Sequence, residues 1–266
     1  MFAPAVRPLI GSRAKLRASW PSRLLLPRSN ASLALGTDAI FWQNEERRGA
    51  ARPDVSVGGN HRCIMIVAYM ISPHDGGTHM LGGETYCPPR SAGFHDWRFG
   101  KDGVAHPATC ATCGRKTDPT YINPEFKAKR RKWDISATYD GYDIVSTRFR
   151  RFCEKQGWEG MTFVSLPAER NFFVLRLSKA LPFDAERRGT RFEKPCPTCR
   201  AFYNVIGATP VYLRGVTEPI EEGFFRSDLE FASGPEQGPL ILVGVGTAAK
   251  LKEQKFQKYA LHTVKA

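Results

Sequence analysis

Beyond residue 64 the apolar positions gather in short runs of strand length rather than in long helical stripes. CIMIVAYMI (63–71) is the first such run. GMTFVSLP (160–167), NFFVLRL (171–177), TRFEKP (190–195), AFYNVI (201–206), PVYLR (210–214), EGFFRSDLEFASG (222–234), GPLILVG (238–244) and YALHTV (259–264) continue the series. Runs of this length, bounded by turn residues, predict strands. Two segments carry the helical period instead. In VSTRFRRFCEKQG (145–157), Val145, Phe149, Phe152 and Cys153 recur at i, i+4, i+7 and i+8 and make one apolar stripe, and Gly157 supplies a left-handed stop. TAAKLKEQKF (247–256) predicts a second helix with Thr247 as its N-cap. Residues 72–107, rich in Gly, His and Pro, read mostly as loop, and TYINPEFKAKRRKWDISA (120–137) as a basic loop running into a short strand. The pattern predicts an α+β fold, mostly antiparallel β with two or three short helices, in a single domain over 65–266.

Composition adds bounds. The 266 residues are 42% hydrophobic, enough for a real buried core. No apolar run approaches the roughly 18 residues of a membrane-spanning helix, so the expectation is a cytoplasmic protein. The formal net charge is +13, and residues 1–64 hold 10 Lys/Arg against 4 Asp/Glu, with no acid before Asp38. An acid-free stretch rich in Arg, Ser, Ala and Leu has the make-up of an organellar transit peptide. The rival reading is a start codon placed too early, with the protein beginning at Met65 or Met70. Residues 1–64 are expected to be a disordered or spurious extension that carries no chemistry.

Seven cysteines are too few and too unevenly placed for a disulfide scaffold in a chain of this size. Four fall in two C-x-x-C pairs, Cys110/Cys113 and Cys196/Cys199, with 82 residues between the pairs. Each pair lets two thiolates point at one centre from a tight turn, and two such knuckles complete a tetrahedral sulfur shell suited to one structural zinc. Gly114, Pro195 and Pro197 are turn residues that support the knuckle reading. Neither pair starts a helix after a strand, as a thioredoxin-type motif does. Another metal, a redox pair and plain core cysteines are the alternatives. The long separation makes the metal a staple between distant parts of one fold, because loop closure grows only logarithmically with length. Cys63, Cys87 and Cys153 are left as idle or buried thiols. His106, four residues before Cys110, is a candidate replacement ligand, with an ordinary surface histidine as the plainer reading.

No nucleophile elbow, phosphate-cradling loop or H-E-x-x-H motif is present, and GVGTAAK (244–250) reads as a turn and cap. His61, His74, His79 and His95 lie in a loop-rich region with Asp75, Glu84 and Asp96, the only material for a second metal or an active site. The expectation is a protein that is not an enzyme, with a loop-built enzyme as an alternative.

Two charge features remain. KAKRRK (127–132) followed by Trp133 offers Lys127, Lys129, Arg130, Arg131, Lys132 and Trp133 to nucleic acid by phosphate neutralisation and stacking, if it is more than a solvated loop. Residues 216–238 carry 6 acids against the single Arg226, a local inversion of sign. Glu221, Glu222, Asp228 and Glu230 are candidate contacts to a cationic protein partner, with Phe224, Phe225 and Phe231 either as anchors or packed into the core.

The two distant C-x-x-C knuckles, the run IVSTRFRRFCEKQGWEGMTFVSLP between them and the tail FFRSDLEFASGPEQGPLILVGVGTAAKLKEQKF resemble the double-CxxCG-motif immunity proteins of bacterial toxin–immunity systems. The resemblance covers roughly residues 65–266. Cys110, Cys113 and Gly114 match the first CxxCG; at the second, Cys196 and Cys199 are followed by Arg200. It implies a zinc-knuckle protein that binds and neutralises a cognate protein toxin without catalysis. A zinc-ribbon nucleic-acid binder using residues 127–133 is the second expectation.

Overall fold

The computed structural model describes residues 65–82 and 106–266. The expectations for 1–64, and those for Glu84, Cys87, His95 and Asp96, lie outside the described residues.

Eleven strands form one sheet: β1 (Ile66–Asp75), β2 (Ile135–Ala137), β3 (Asp143–Ser146), β4 (Met161–Leu166), β5 (Glu169–Leu177), β6 (Ala180–Leu181), β7 (Arg191–Pro195), β8 (Phe202–Ile206), β9 (Phe224–Ser233), β10 (Gly238–Val243) and β11 (Tyr259–Lys265). Among the described residues three helices accompany them: α1 (Thr147–Gln156), the single-turn α2 (Ala185–Arg188) and α3 (Val245–Gln254), with a 3-10 turn at Gly234–Glu236. The strand order is β4-β5-β3-β2-β1-β10-β9-β8-β7, with β11 added on β1 and β6 on β9. All pairings are antiparallel except β1 with β2 and β6 with β9. The sheet-dominated, mostly antiparallel α+β expectation therefore describes the fold. Among the described residues no helix is long and apolar enough to cross a membrane.

Period-two alternation sorts the strand side chains onto two faces. Phe173 and Leu175 of β5, Val145 of β3, Ile71 of β1, and Ile241 and Val243 of β10 point to one face, where Phe149 and Cys153 of α1, Ala248 and Leu251 of α3, and Phe256 close over them. The other face is covered by irregular chain in two parts. Met80, Leu81, Ala108 and Phe126 lie over Ile144, Phe172 and Val174, while Ala208, Val211 and Leu213 lie over Met70, Leu242 and Val264. Because β5 and β10 are covered on both faces, they read as continuous apolar runs rather than as alternation.

The local signals explain most boundaries. Ser146 accepts a hydrogen bond from Phe149 N at 3.2 Å and caps α1, and Gly157 ends it at φ 69°. Val145 belongs to β3, opposite Ile135 and Phe173, so the predicted helix starts two residues late. The predicted Thr247 cap is corrected: α3 begins at Val245 after Gly244. Its first-turn N–H groups are met by the carbonyls of Ile220 and Glu221, Val245 N at 2.7 Å and Gly246 N at 2.8 Å. A Cβ on Gly244 would lie 2.6 Å from the Glu221 oxygen, so only glycine lets that backbone pass. Thr247 is fully buried, its hydroxyl accepting from Gly223 N at 2.9 Å. PVYLR forms no strand: Leu213 bridges Phe183 alone, and the segment covers the sheet face instead.

Candidate metal centre

The two C-x-x-C turns are built to one plan. In the first, Thr109 and Lys116 pair across a minimal hairpin, Cys110 N donates to Arg115 O at 2.8 Å, and Gly114 N donates to Cys110 O at 2.8 Å. In the second, which forms the turn between β7 and β8, Cys196 N donates to Ala201 O at 2.8 Å and Arg200 N donates to Cys196 O at 2.9 Å. Gly114 has φ 73° and Arg200 φ 62°. Arg200 thus takes the left-handed position that glycine fills in the first knuckle, at a cost of about 1–2 kcal/mol for an L side chain. Thr112 and Thr198, the third residues of the two motifs, meet hydroxyl to hydroxyl at 2.7 Å, so the knuckles face each other as near-equivalents.

Their sulfurs converge. Cys110 Sγ lies 3.8 Å from Cys196 Sγ, Cys113 Sγ lies 3.6 Å from Cys199 Sγ, and all four atoms are within 4.8 Å of one another. None is in a disulfide. Four thiolates about 2.3 Å from a central zinc stand about 3.8 Å apart along the edges of the tetrahedron, so the set fits a closed four-sulfur shell. Cys110, Cys113 and Cys196 are buried, Cys199 is partly exposed, and Tyr203 packs against the group. This is the one group of His, Cys, Asp and Glu among the described residues with the spacing to hold a metal ion.

Electrostatics favour a cation at the centre. Burial opposes ionisation of Cys196, yet the backbone N–H groups of Cys199 and Thr198, helped by the thiols of Cys113 and Cys199, overcome it and bring that thiol down to about 7. Burial pushes Cys113 far up, and the thiols of Cys196, Cys199 and Cys110 add to the shift. Burial also raises Cys199. A dication among the four sulfurs removes this mutual hindrance, because a coordinated thiol gives up its proton.

A polar frame under the sulfurs ties the knuckles together, and it was not foreseen from the sequence. Arg115, two residues after Cys113, donates to Gln237 Oε1 and to Glu230 Oε2, each at 2.6 Å. Gln237, 1% exposed, donates from Nε2 to Phe202 O at 3.0 Å and Tyr203 O at 2.9 Å, just beyond the second knuckle. Gln237 sits in an ordinary P-E-Q-G turn, and only the spatial meeting of β8, β10 and the first knuckle gives it a role.

The acids expected to contact a partner are mostly engaged internally. Asp228 accepts from Phe183 N at 2.8 Å, and Glu230 holds Arg115. These two candidate contacts therefore also serve the fold, and changing them is expected to cost stability. Glu222 accepts from Trp158 Nε1 at 3.0 Å and pairs with Lys250. Glu221, exposed beside it, lends its carbonyl to α3. Phe224 and Phe231 are buried and Phe225 packs against the core, so these rings are core residues and not surface anchors. His106 stays outside the sulfur group: its Nδ1 accepts from Ala108 N at 3.1 Å, its ring meets Tyr121 edge-on, and burial lowers its pKa. Cys153 is buried in the helix-covered core. His74 packs on Trp133 and His79 on Tyr139, in separate places.

Beside the first knuckle, Lys116 donates to Asp140 O and lies over the Tyr142 ring at 4.9 Å. Burial lowers Lys116 to about 8, and burial raises Asp143 to about 7 against the pull of Lys116. A carboxyl held above its unfolded value contributes stability that is full below about pH 4 and is lost as pH rises toward 7. Asp143→Asn is therefore expected to gain on the wild type across that window by on the order of 1–2 kcal/mol, after discounting for partial solvent exposure. Parallel denaturant titrations at pH 4.5 and 7.5 measure the difference, and an equal gap at the two values would assign Asp143 no titrating role.

Compared with protein-family models and with curated proteins, the chain finds no match in either.

Proposed function

We propose that this protein is a non-enzymatic, zinc-stapled binding protein of the immunity type, which neutralises a cognate protein toxin by occupying it. The observation that carries the reading is the closed sulfur shell. Four protein thiolates fill every position of a tetrahedral zinc, which leaves none for the water or substrate of a catalytic site. Such an ion holds parts of a fold in place. Here it would fasten the β7–β8 hairpin at one end of the sheet to the loop carrying Cys110 and Cys113.

A rigid surface is what a tight inhibitor needs, since groups already held in place lose little freedom on binding. The resemblance of the knuckles and the C-terminal run to double-CxxCG immunity proteins gives the partner class. With Asp228 and Glu230 bonded within the fold, the partner contacts are assigned to Glu221 and to Glu222, which stays exposed while it holds Trp158 and Lys250. The test is to look for a candidate toxin gene in the neighbourhood of this gene and to co-express the two. Growth should be restored by the wild type, and Glu221→Lys with Glu222→Lys should weaken the purified complex at least tenfold with the zinc content unchanged. Failure to restore growth or to bind that toxin would remove the immunity reading.

A further inference from the structure

Three surfaces compete for attention outside the metal centre. An open cleft of about 280 Å³ holds Arg150, Cys153, Glu154, Trp158 and Phe163, with mixed lining and one buried thiol. The edge hairpin exposes Phe192, Phe202 and Ile206, with nothing to say what covers them. The third is a basic face drawn from segments far apart in sequence.

We infer that this basic face is a binding surface for the phosphodiester backbone of nucleic acid, read without regard to sequence. It goes beyond the 127–132 run, because the fold brings three other segments to that run. Asp134 and Gln257 link the basic loop to the β11 approach, with Gln257 N donating to Asp134 Oδ2 at 2.9 Å and Asp134 N to Gln257 O at 3.3 Å. Arg148 at the start of α1 pairs with Asp134 at 2.9 Å and also reaches Gln254 O. Arg130, Arg131, Lys132, Arg148, Lys255 and Lys258 are consequently gathered on one side, all exposed. Lys127 and Lys129, also exposed, precede these cations in the same loop, Lys129 reaching Gly77 O at 3.3 Å, and Glu253 is the exposed acid of the adjoining helix end.

At the centre is an open cleft of about 230 Å³, lined by Arg131, Lys132, Trp133, Thr147, Arg148 and Asn171. Its floor holds two buried carboxylates, each under an arginine: Asp134 below Arg148, and Glu169, 3.1 Å from Arg131. The arginine side chains remain 68% and 53% exposed for Arg131 and Arg148. Arg131 is anchored through one nitrogen, whereas Arg148 is held by both Asp134 and Gln254 O and lies over the Phe256 ring at 4.7 Å, so both guanidiniums are fixed in place while staying largely exposed. A guanidinium already oriented loses little freedom when it takes a phosphate, and its fork matches phosphate oxygens.

Trp133 serves differently from the stacking role that its place after KAKRRK implies. Arg130 lies 5.4 Å from its ring and Lys258 5.9 Å, with His74 edge-on at 6.0 Å, so its ring is engaged with cations. It props two cations and leaves little face for a base, which favours backbone contacts. A membrane is the poorer partner: the exposed large apolar residues among the described residues are Met65, Tyr139, Phe192, Phe202 and Ile206, none of them in the segments carrying these cations. An extended row of cations without an apolar anchor suits an extended polyphosphate chain.

The probe is a fluorescein-labelled 20-base-pair DNA duplex titrated with the full-length protein at several salt concentrations. Lys127→Glu with Lys132→Glu is the test variant; Arg191→Glu with Arg214→Glu makes the same change of net charge elsewhere. The expected result is at least a tenfold loss of affinity in the first variant, a salt slope smaller by about 2, and wild-type behaviour in the second. An equal loss in both variants would reduce the effect to net charge and overturn the site. No binding at 50 mM salt, or tighter binding to phosphatidylglycerol vesicles than to the duplex, would also overturn it.

Discussion

On the proposed zinc shell, the wild type is expected to purify with about one zinc per chain, and serine at any one of Cys110, Cys113, Cys196 or Cys199 is expected to abolish both metal binding and cooperative folding. Structural zinc in small sulfur shells is worth about 10–16 kcal/mol, whereas a whole domain is stable by about 5–15 kcal/mol. Loss of the ion thus consumes most or all of the folding free energy. The four positions should behave alike, because the knuckles present near-equivalent sulfurs from near-equivalent turns. Removing the ion from the wild type with a strong chelator should reproduce the effect. Cys153→Ser is the internal control: that thiol is buried between helix and sheet, 1% exposed, so its change should cost about 1–2 kcal/mol and no metal. Metal analysis alongside thermal melting decides the matter. Full zinc occupancy in two or more of the four variants would refute the shell.

The second large effect is expected at Gln237. Gln237→Met keeps the volume but removes both ends of the polar bridge. The Tyr203 carbonyl, which accepts from Gln237 at 2.9 Å, and the Arg115 guanidinium, which donates to it at 2.6 Å, then lose a buried partner. Arg115 keeps Glu230 and is partly exposed, so the main cost is the buried carbonyls left unmet, about 1–3 kcal/mol. The ion should stay bound, since no ligand is touched, but it should pass to a competing chelator faster as the knuckles lose their common brace. Urea unfolding of the zinc-loaded protein gives the first quantity and the transfer rate the second. An unchanged midpoint would mean that the frame is redundant with the metal.

How much of this was written in the chain depends on the range of the interaction. The first long helix was legible because its cap, stripe and stop are local: Ser146, Phe149 with Cys153, and Gly157 act within one element. The strands β5 and β10 were legible because burial on both faces leaves an unbroken apolar run. The cysteines were legible as two pairs, since a C-x-x-C turn is a local object, and their common centre followed from the number of ligands a tetrahedral ion takes. What failed was set by distant chain. Thr247 has the side chain of an N-cap, yet the backbone of residues 220–221 supplies the caps and Thr247 turns inward to Gly223. Asp228 and Glu230 alternate with apolar residues as solvent-facing acids do, and only the arrival of Phe183 and Arg115 commits them to the fold. The left-handed backbone of Arg200 is hinted at only by the glycine at the same place in the first knuckle, because the turn imposes it on a residue that does not favour it.

The central position of β1 has a consequence for how the protein is made. Met70 and Ile71 of β1 pair with Leu242 and Ile241 of β10 and with His262 and Leu261 of β11, while β2 joins β1 only at His74 and Asp75. Some 170 residues separate β1 from the strands that flank it for most of its length, a delay of about 10–30 seconds at ordinary rates of translation. During that interval the nascent chain carries the apolar run IVAYMI without its neighbours. The centre of the sheet is therefore completed only after β10 and β11 have been made, with the high contact order that slows such topologies. A trigger-type chaperone on the emerging run, or a slower, cooler expression regime, should raise the yield of soluble protein more than any stabilisation of the finished fold.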